Sequence, residues 1–340
     1  MKLSPGKLWG LRRLADANGL FKMVAIDQRT QLLGPIAKAR GLAEAPYEDI
    51  ARLKAIFARH LAPAASAILV DPNYGYSAAM PHVPPKCGLI LCLEHHLVED
   101  TPGGKRSRAI PDWSAAKIRR VGADAAKVLV WQRQDASAET KAHQAAFVEG
   151  CGLACEQADL VYLLEILIYP LPGEDAAASP ERRAECVTAA VADYLDPRFG
   201  VDIYKVEPPI PLHDVPDPDG PRAAAAQAVY DNLAKTLPRP WVLLSAGAGP
   251  EDFARQLVYG YRAGASGYLC GRAIWFDAFR QFPDFAALER CVAEESVPYI
   301  ERINALTDRL ATPWHRHAGW GGMPEMAPSG ADFATSYPAR

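Results

Sequence analysis

The clearest pattern along the chain is an alternation between short runs of branched apolar residues and longer alanine-rich segments of helical period. Short apolar runs without helical period are typical of buried strands. We predict eight strands, at Met23–Ile26, Ala67–Val70, Leu89–Leu93, Ala126–Trp131, Val161–Ile168, Val201–Val206, Trp241–Leu244 and Tyr268–Cys270. Several segments between them begin with the residues that helix starts prefer. We predict helices at Tyr47–Leu61, Ala138–Gln157, Pro180–Leu195, Arg222–Thr236 and Pro250–Ala263.

Eight strands that alternate with helices predict an α/β fold, a (β/α)8 TIM barrel that forms a single domain over residues 1–311. Strand counting leaves a doubly wound open sheet as the alternative. Residues 312–340 have no period, so we expect an irregular C-terminal tail, partly draped on the barrel or disordered. Three long connections follow strands and would lie on the face of a barrel where active sites are built: Asp71–Pro85, His95–Trp113 and Pro208–Pro221.

Composition and charge point to a folded protein with a small-molecule partner. At 340 residues and 49% hydrophobic, the chain can bury the core of one large barrel. Its formal net charge is only −3 and neither end carries a basic block, so we expect no nucleic-acid and no membrane partner. The N-terminus lacks an apolar signal core, which favours a cytoplasmic location.

The seven cysteines fit neither a disulfide framework nor a zinc site. Their number is odd and their spacing irregular, and Cys151 and Cys155 have no matching second pair. We expect reduced, mostly buried thiols.

Charged residues accumulate at or just after the carboxyl ends of the predicted strands. Strands buried on both faces should be almost entirely apolar, so each of these charges needs an explanation. Singly, such a residue usually caps a helix or pairs with a neighbouring charge. As a set they indicate an active site, because the carboxyl ends of barrel strands meet on one face. The set is Asp27, Asp71, Glu94, Lys127, Glu165, Lys205 and Arg272.

Lys127 and Lys205 carry the strongest chemical signal. In a dry barrel interior each lysine loses hydration, and a second ammonium nearby further disfavours the charge, so we expect the pKa of both to fall toward neutrality. A neutral amine can attack a ketone and form a Schiff base, whose iminium accepts electrons when a C–C bond breaks. The alternative is two buried lysines that are simply paired with Asp27, Glu165 or Glu207.

Two acidic residues fit roles beside these amines. Glu165 lies between apolar Leu164 and Ile166, so we expect a raised pKa and a role as proton shuttle. Asp27 is placed to hold either lysine. Glu207 precedes two prolines and is more simply explained as a structural ion-pair partner.

A phosphate site is predicted after the seventh and eighth strands. Ser245 and Gly247 lie in the sequence SAGAG, and Gly271 precedes Arg272, each pair ahead of a predicted helix N-terminus. Glycines let backbone amides approach an anion, and the arginine supplies a bidentate fork.

A metal site at Glu94, His95 and His96 is a weaker alternative. Adjacent residues on an extended strand point to opposite faces, and neither a helical histidine pair nor distant paired cysteines support them. We therefore expect no metal and no other cofactor.

In this sequence eight motifs occur in order over nearly the whole chain: AIDQR at 25–29, SAILVDPNYG at 66–75, AAKVLVW at 125–131, LLEILIY at 163–169, FGVDIYKVEPP at 199–209, LLSAGA at 243–248, CGRAIW at 270–275 and TPW at 312–314. On these motifs the chain resembles the class I tagatose 1,6-bisphosphate aldolases and the related sulfofructose-phosphate aldolases. The resemblance implies a (β/α)8 barrel and a metal-independent, Schiff-base aldehyde-lyase of carbohydrate metabolism. The implied products are dihydroxyacetone phosphate and an aldehyde, glyceraldehyde 3-phosphate if the substrate is tagatose 1,6-bisphosphate.

By motif, the resemblance places Lys205 at the Schiff-base lysine and Glu165 at the proton-transfer glutamate. Asp27 and Lys127 fall on polar positions around the iminium, and anion-binding positions fall on Gln28, Ser245 and Arg272. A second anion pocket decides between a bisphosphate and a sulfonated sugar, with Arg29 and the loop Lys105–Arg108 as its candidates. A homo-oligomer is possible. A sugar-phosphate-binding regulator without activity is a further alternative, although it has no need of both amines and the acid.

Overall fold

The architecture is a closed barrel of eight parallel strands in which each strand pairs with its neighbours in chain order. The computed structural model describes residues 1–170 and 180–338. The strands are β1 Phe21–Ala25, β2 Ala67–Val70, β3 Gly88–Cys92, β4 Ala125–Trp131, β5 Val161–Leu167, β6 Ile203–Val206, β7 Trp241–Leu243 and β8 Gly267–Cys270. All eight predicted strands are confirmed, and the open-sheet alternative is wrong because β8 pairs with β1, Gly267 opposite Phe21.

Helices surround this barrel. They are α1 Pro5–Leu14, α2 Thr30–Arg40, α3 Tyr47–Leu61, α4 Tyr76–Ala79, α5 Ala115–Arg120, α6 Ala138–Gln157, α7 Pro180–Ala192, α8 Ala223–Thr236, α9 Pro250–Arg262, α10 Arg272–Phe279, α11 Phe285–Cys291, α12 Val297–Leu310 and α13 Phe333–Ser336. The five predicted helices correspond to α3, α6, α7, α8 and α9. Within the described residues, no helix combines the length and the apolar character that crossing a membrane requires.

Each strand points alternate residues into the barrel and out toward the helices. Along β1, Val24 joins the outer core, whereas Phe21, Met23 and Ala25 belong to an inner core. The inner core fills the amino-terminal part of the barrel, and on β1, β3, β4, β5 and β6 the position two residues beyond it, at the carboxyl end, is charged. The sequence thus builds an apolar base with a polar layer above it.

The tail closes the amino-terminal end of the barrel. Trp314 and Trp320 are almost completely buried in the inner core cluster, and Lys2–Leu3 pairs in parallel with Glu325–Met326. Apart from short turns, the two-residue strand Glu325–Met326 and α13, the tail is irregular, as predicted, and the buried tryptophans pack it against the barrel through residue 320. The domain boundary at residue 311 remains a prediction.

The long connections that follow β2, β3 and β6 lie at the carboxyl ends of the strands. The first carries α4, the second carries a hairpin of Glu99–Thr101 and Gly104–Arg106, and the third has neither helix nor strand. All seven cysteines are free, and five of them are buried.

Candidate active site

Charged side chains form one layer just above the apolar base of the barrel. Glu165 on β5 lies directly opposite Lys205 on β6 in the strand register, and Lys127 projects from β4. All three occupy inward positions because each follows, at a spacing of two residues, an apolar residue of the inner core: Ala125, Leu163 and Ile203. Strand alternation therefore brings together the residues that the sequence singled out.

Glu165 bridges the two lysines. Its Oε1 lies 3.0 Å from Lys205 Nζ and its Oε2 lies 2.7 Å from Lys127 Nζ. Lys127 Nζ also donates to Asp27 Oδ2 at 3.0 Å and to Glu94 Oε1 at 2.9 Å. Lys127 thus has three carboxylate partners, whereas the described ion pairs give Lys205 one.

Lys127 does not lose its charge, contrary to the expectation. Burial alone would lower the pKa of Lys127, but Asp27, Glu165 and Glu94 raise it well above its usual value. The expected fall in its pKa is wrong because the sequence did not show that three acids surround this amine. Lys127 is a permanent cation in the site.

Glu165 and Asp27 are held in their charged forms. Burial would raise the pKa of both, but the ammonium groups of Lys127 and Lys205 lower it, for Asp27 far below its usual range. The expected raised pKa of Glu165 is wrong because its charged neighbours outweigh its apolar ones along the strand. An ionised Glu165 is ready to accept a proton rather than to donate one.

Glu94 belongs to this layer. The sequence placed it among the strand-end charges of an active site, but the only specific role considered for it was that of a metal ligand. It lies two residues beyond Cys92 on the inward face that follows β3, and it is 3% exposed. Burial outweighs the attraction of Lys127 and raises the pKa of Glu94. Alternation along β3, in which Ile90 and Cys92 point inward, is the signal that predicts its position.

The structure does not support the proposed metal set. In the described part of the chain, the possible ligand atoms that come within 4.8 Å of one another belong to Asp27, Cys92 and Glu94. Lys127 Nζ already donates hydrogen bonds to the carboxylates of Asp27 and Glu94, so its ammonium group takes the position that a metal ion would need. His95 and His96 instead stack on each other with ring centroids 4.7 Å apart.

A cavity of about 300 Å³ opens at the carboxyl ends of the strands. Its lining includes Asp27, Gln28, Arg29, Glu94, Lys127, Glu165, Glu207, Ala246 and Arg272. Lys205 is not part of this lining: its side chain is 4% exposed, and its Nζ lies 3.0 Å from Oε1 of Glu165, which does line the cavity. A substrate that reaches this amine must therefore break the contact between Lys205 and Glu165.

The predicted phosphate positions converge on one side of this cavity. Arg272 lies beside Gly247, since a Cβ built on this glycine would be 3.3 Å from Arg272 Nη1. Gly247 has φ +99°, which favours glycine. A Cβ on Gly271 would lie 3.0 Å from Gln28 Nε2, so Gln28 reaches the same place. Ser245 is buried and its carbonyl accepts from the Ala248 amide at 2.8 Å.

The residues proposed for the second anion site do not lie together: Arg29 is in the cavity, and the loop cations Lys105 and Arg106 are not. Arg29 lines the cavity and is 3% exposed, and its Nε and Nη1 have no hydrogen-bond partner among residues 1–170 and 180–338. Of the loop cations, Lys105 pairs with Asp100 at 2.6 Å and Arg106 pairs with Glu139 at 2.9 Å. The hairpin cations are therefore already neutralised outside the cavity.

Glu207 is a structural ion-pair partner, as the sequence favoured. Its Oε2 accepts a hydrogen bond from the backbone amide of Ile168 at 3.0 Å, and its Oε1 lies 3.7 Å from Arg183 Nη2. Burial raises its pKa, and Arg183 opposes this change. Both oxygens thus serve to join β5, β6 and α7.

A closed parallel barrel with a layer of coupled acids and amines at its carboxyl ends is the construction of a barrel enzyme. The family of the DeoC/LacD aldolases matches residues 21–277 of this chain, a stretch that contains the whole layer. The chain belongs to the DeoC/LacD family of aldolases.

Curated relatives agree with this assignment over nearly the full length. Tagatose 1,6-diphosphate aldolase 1 of Streptococcus mutans is 31% identical over 324 residues, which cover 92% of this chain and 99% of that protein. Tagatose 1,6-diphosphate aldolase 2 of Streptococcus pyogenes serotype M1 is 32% identical over 324 residues, covering 92% and 98%.

Solved structures share the fold at much lower identity. Fructose-bisphosphate aldolase from Plasmodium falciparum superimposes with a TM-score of 0.66 at 15% identity, over 92% of this chain and 98% of that one. An archaeal fructose 1,6-bisphosphate aldolase gives a TM-score of 0.56 at 15% identity, over 88% and 98%. These likenesses establish the barrel fold.

Proposed function

We propose that the protein is a class I aldolase that cleaves a ketohexose 1,6-bisphosphate through a Schiff base on Lys205. The observation that carries the proposal is the contact of Lys205 Nζ with Glu165 Oε1 at 3.0 Å, with the permanent cation Lys127 on the other oxygen of the same carboxylate. An amine, a base and a fixed positive charge are the groups that such a cleavage requires.

In the first stage, the neutral amine of Lys205 attacks the C2 ketone of the open-chain sugar. The carbinolamine that forms loses its oxygen as water and becomes an iminium. Lys127 and Asp27 flank this centre, and their fixed charges stabilise the charges that develop during these steps.

In the second stage, Glu165 removes the proton of the C4 hydroxyl group. The C3–C4 bond then breaks, its electron pair moves toward the iminium to give an enamine, and the C4 carbon leaves as an aldehyde. The lowered pKa of Glu165 supports this role, because the carboxylate is ionised and can accept the proton. Protonation of the enamine at C3 and hydrolysis release dihydroxyacetone phosphate and restore Lys205.

We place the C1 phosphate at Arg272 and the glycine turns after β7 and β8. Arg272 has no hydrogen bond or ion pair to another described side chain, so its guanidinium is available to an anion. Ser245, Gly247, Gly271 and Gln28 complete this cradle. Binding there would bring the C2 ketone toward Lys205 and fix its orientation.

We place the second anionic group of the substrate at Arg29, whose Nε and Nη1 lack partners in the described part of the chain. The relatives named as tagatose 1,6-diphosphate aldolases support tagatose 1,6-bisphosphate as the substrate, with glyceraldehyde 3-phosphate as the second product. A sulfofructose phosphate is the second candidate. It is favoured by the pairing of Lys105 and Arg106 with acids, which reduces the positive charge that the loop Lys105–Arg108 can offer to a second phosphate.

The test is the release of dihydroxyacetone phosphate from tagatose 1,6-bisphosphate, fructose 1,6-bisphosphate and a sulfofructose phosphate, each assayed with and without excess EDTA. The proposal expects full activity in EDTA on at least one of these sugars, with no added cofactor. Activity that EDTA abolishes would favour a metal-dependent lyase or epimerase, and no activity on any sugar would favour a binding protein. A cytoplasmic location and a homo-oligomeric state remain parts of the proposal for separate tests.

A further inference from the structure

A second buried ion pair lies just outside the cavity and is not explained by the proposed chemistry. Lys54 on α3 is completely buried and pairs with Asp71, which follows β2 and is also completely buried. Lys54 Nζ also donates to the backbone carbonyl of Gln28 at 3.0 Å. Neither residue of this pair lines the cavity.

The carbonyl to which Lys54 donates belongs to a short segment that supplies three consecutive side chains to the site. Asp27, Gln28 and Arg29 lie between the end of β1 and the start of α2, in neither strand nor helix. Their side chains go to three different places: Asp27 to Lys127, Gln28 to Gly271, and Arg29 to Glu94 at 3.7 Å. The direction of all three depends on how this one short backbone segment is set.

Asp71 is itself fixed on its other side. Its Oδ1 accepts hydrogen bonds from the backbone amides of Asn73 at 3.0 Å and Tyr74 at 2.7 Å. A Cβ built on Gly75 would lie 2.9 Å from Asp71 Oδ2, so the chain passes close over the carboxylate. Lys54 is therefore held at a defined point from which it reaches the Gln28 carbonyl.

A structural role alone does not account for this arrangement. Two charges removed from water usually gain little net stability, and apolar residues of similar size often serve as well. What an apolar pair cannot supply is a donor to the Gln28 carbonyl, which lies beyond the strand ladder and before the helix. Polar contacts behind a site commonly exist to orient the groups in front of them.

We propose that Lys54 and Asp71 are positioning residues for the aldolase site: they fix the Gln28 carbonyl and thereby the directions of Asp27, Gln28 and Arg29. This inference rests on the proposed function, because it assigns those three side chains to substrate and iminium. It adds to the residues that the reaction requires one on α3, Lys54, and one directly after β2, Asp71.

The test compares two matched double variants. Lys54→Met/Asp71→Asn removes both charges, and the asparagine Oδ1 can still accept from the amides of the turn. Lys7→Met/Asp202→Asn removes a comparable buried pair, 2.8 Å apart, at the opposite end of the barrel. Thermal unfolding establishes that each variant folds, and kcat and KM are measured separately for cleavage.

We expect kcat of Lys54→Met/Asp71→Asn to fall about 10- to 100-fold, the usual effect of losing an orienting contact, and kcat of the Lys7/Asp202 variant to stay within about twofold of wild type. Reduction with borohydride in the presence of dihydroxyacetone phosphate should still label Lys205 in both variants. A folded Lys54/Asp71 variant with wild-type kcat would overturn the positioning role.

Two further outcomes are also decisive. Lys54→Met/Asp71→Leu provides an apolar pair if the asparagine variant does not fold, and it should show the same loss of kcat. If neither double variant folds while the Lys7/Asp202 variant does, the pair is a requirement of the fold and the positioning proposal is wrong. Absence of the Lys205 adduct in the wild-type protein would instead defeat the proposed function itself.

Discussion

Glu165 and Lys205 face each other across β5 and β6, with their Cα atoms in register and Glu165 Oε1 3.0 Å from Lys205 Nζ. The same carboxylate contacts Lys127 at 2.7 Å through its other oxygen. One acid is therefore shared between a permanent cation and the amine that we propose as nucleophile. This sharing keeps Glu165 ionised beside the place where a hydroxyl proton must be removed.

The first prediction concerns Glu165→Gln. The amide is nearly isosteric but cannot accept a proton in the same way, so we expect kcat for cleavage to fall about 10²- to 10⁴-fold. Formation of the Lys205 adduct with dihydroxyacetone phosphate requires no C4 hydroxyl group and should persist. Steady-state cleavage and adduct yield measured on the same sample separate the two steps. If Glu165→Gln cleaved the substrate at the wild-type rate, Glu165 would not be the base in this mechanism.

The second prediction concerns the charge of Lys127. In Lys127→Met the carboxylates of Asp27, Glu94 and Glu165 lose their shared partner in a buried site, so we expect the free energy of unfolding to fall by about 3–5 kcal/mol. The double variant Lys127→Met/Glu94→Gln removes one of the excess negative charges and should recover part of that loss. Denaturant unfolding of both variants checks this. Equal stabilities would show that Glu94 is not coupled to Lys127.

The third prediction separates the two anion sites. Arg272→Met removes the fork that we place on the C1 phosphate, and charged hydrogen bonds contribute about 1.5–3 kcal/mol each, so KM for dihydroxyacetone phosphate should rise at least about tenfold. Arg29→Met should instead raise KM for the aldehyde in the synthesis direction. Lys105→Met is the control, because Lys105 is already paired with Asp100 and should leave both KM values unchanged. A larger effect of Lys105→Met than of Arg29→Met would move the second site to the hairpin.

The fourth prediction concerns stability in acid. The pKa values of Asp27 and Glu165 are lowered in the folded protein relative to the unfolded chain, so both residues contribute stability that is present above about pH 4. This contribution is lost as the pH falls below that value toward the folded pKa values. We expect the free energy of unfolding to decrease over this acid range and to decrease less steeply in Asp27→Asn. An equal slope in the variant would contradict the lowered pKa of Asp27.

The fold was largely predictable from sequence because its signal is local and repeated. Runs such as AILV at Ala67–Val70 must be buried on both faces, and eight of them in alternation with helices fit one architecture. Strand counting did not separate a closed barrel from an open sheet, since closure depends on the pairing of β8 with β1, between residues far apart in the chain. The sequence left open whether the tail is draped on the barrel or disordered, because two tryptophans without a period give no local signal and their burial depends on the inner core that they contact.

The sequence predicted which residues meet in the site better than it predicted their protonation. Lys127, Glu165, Lys205 and Asp27 were found from their positions at strand ends, and they do meet. The protonation of Lys127 and Glu165 was predicted with the wrong sign, because apolar neighbours along a strand say nothing about charges across the barrel. Lys54 went unnoticed, although a lysine among Ile50, Leu53 and Phe57 on the buried face of α3 is itself a signal.

The measurement that tests the central claim most directly is reductive trapping of the Schiff base. The wild-type protein is incubated with dihydroxyacetone phosphate, reduced with borohydride, digested and analysed by peptide mass. We predict one adduct, on Lys205, that is absent from Lys205→Met and present in Glu165→Gln. Lys127, whose pKa is raised, should remain unlabelled in the same digest. No adduct in the wild-type protein, or an adduct on Lys127 in place of Lys205, would contradict the account.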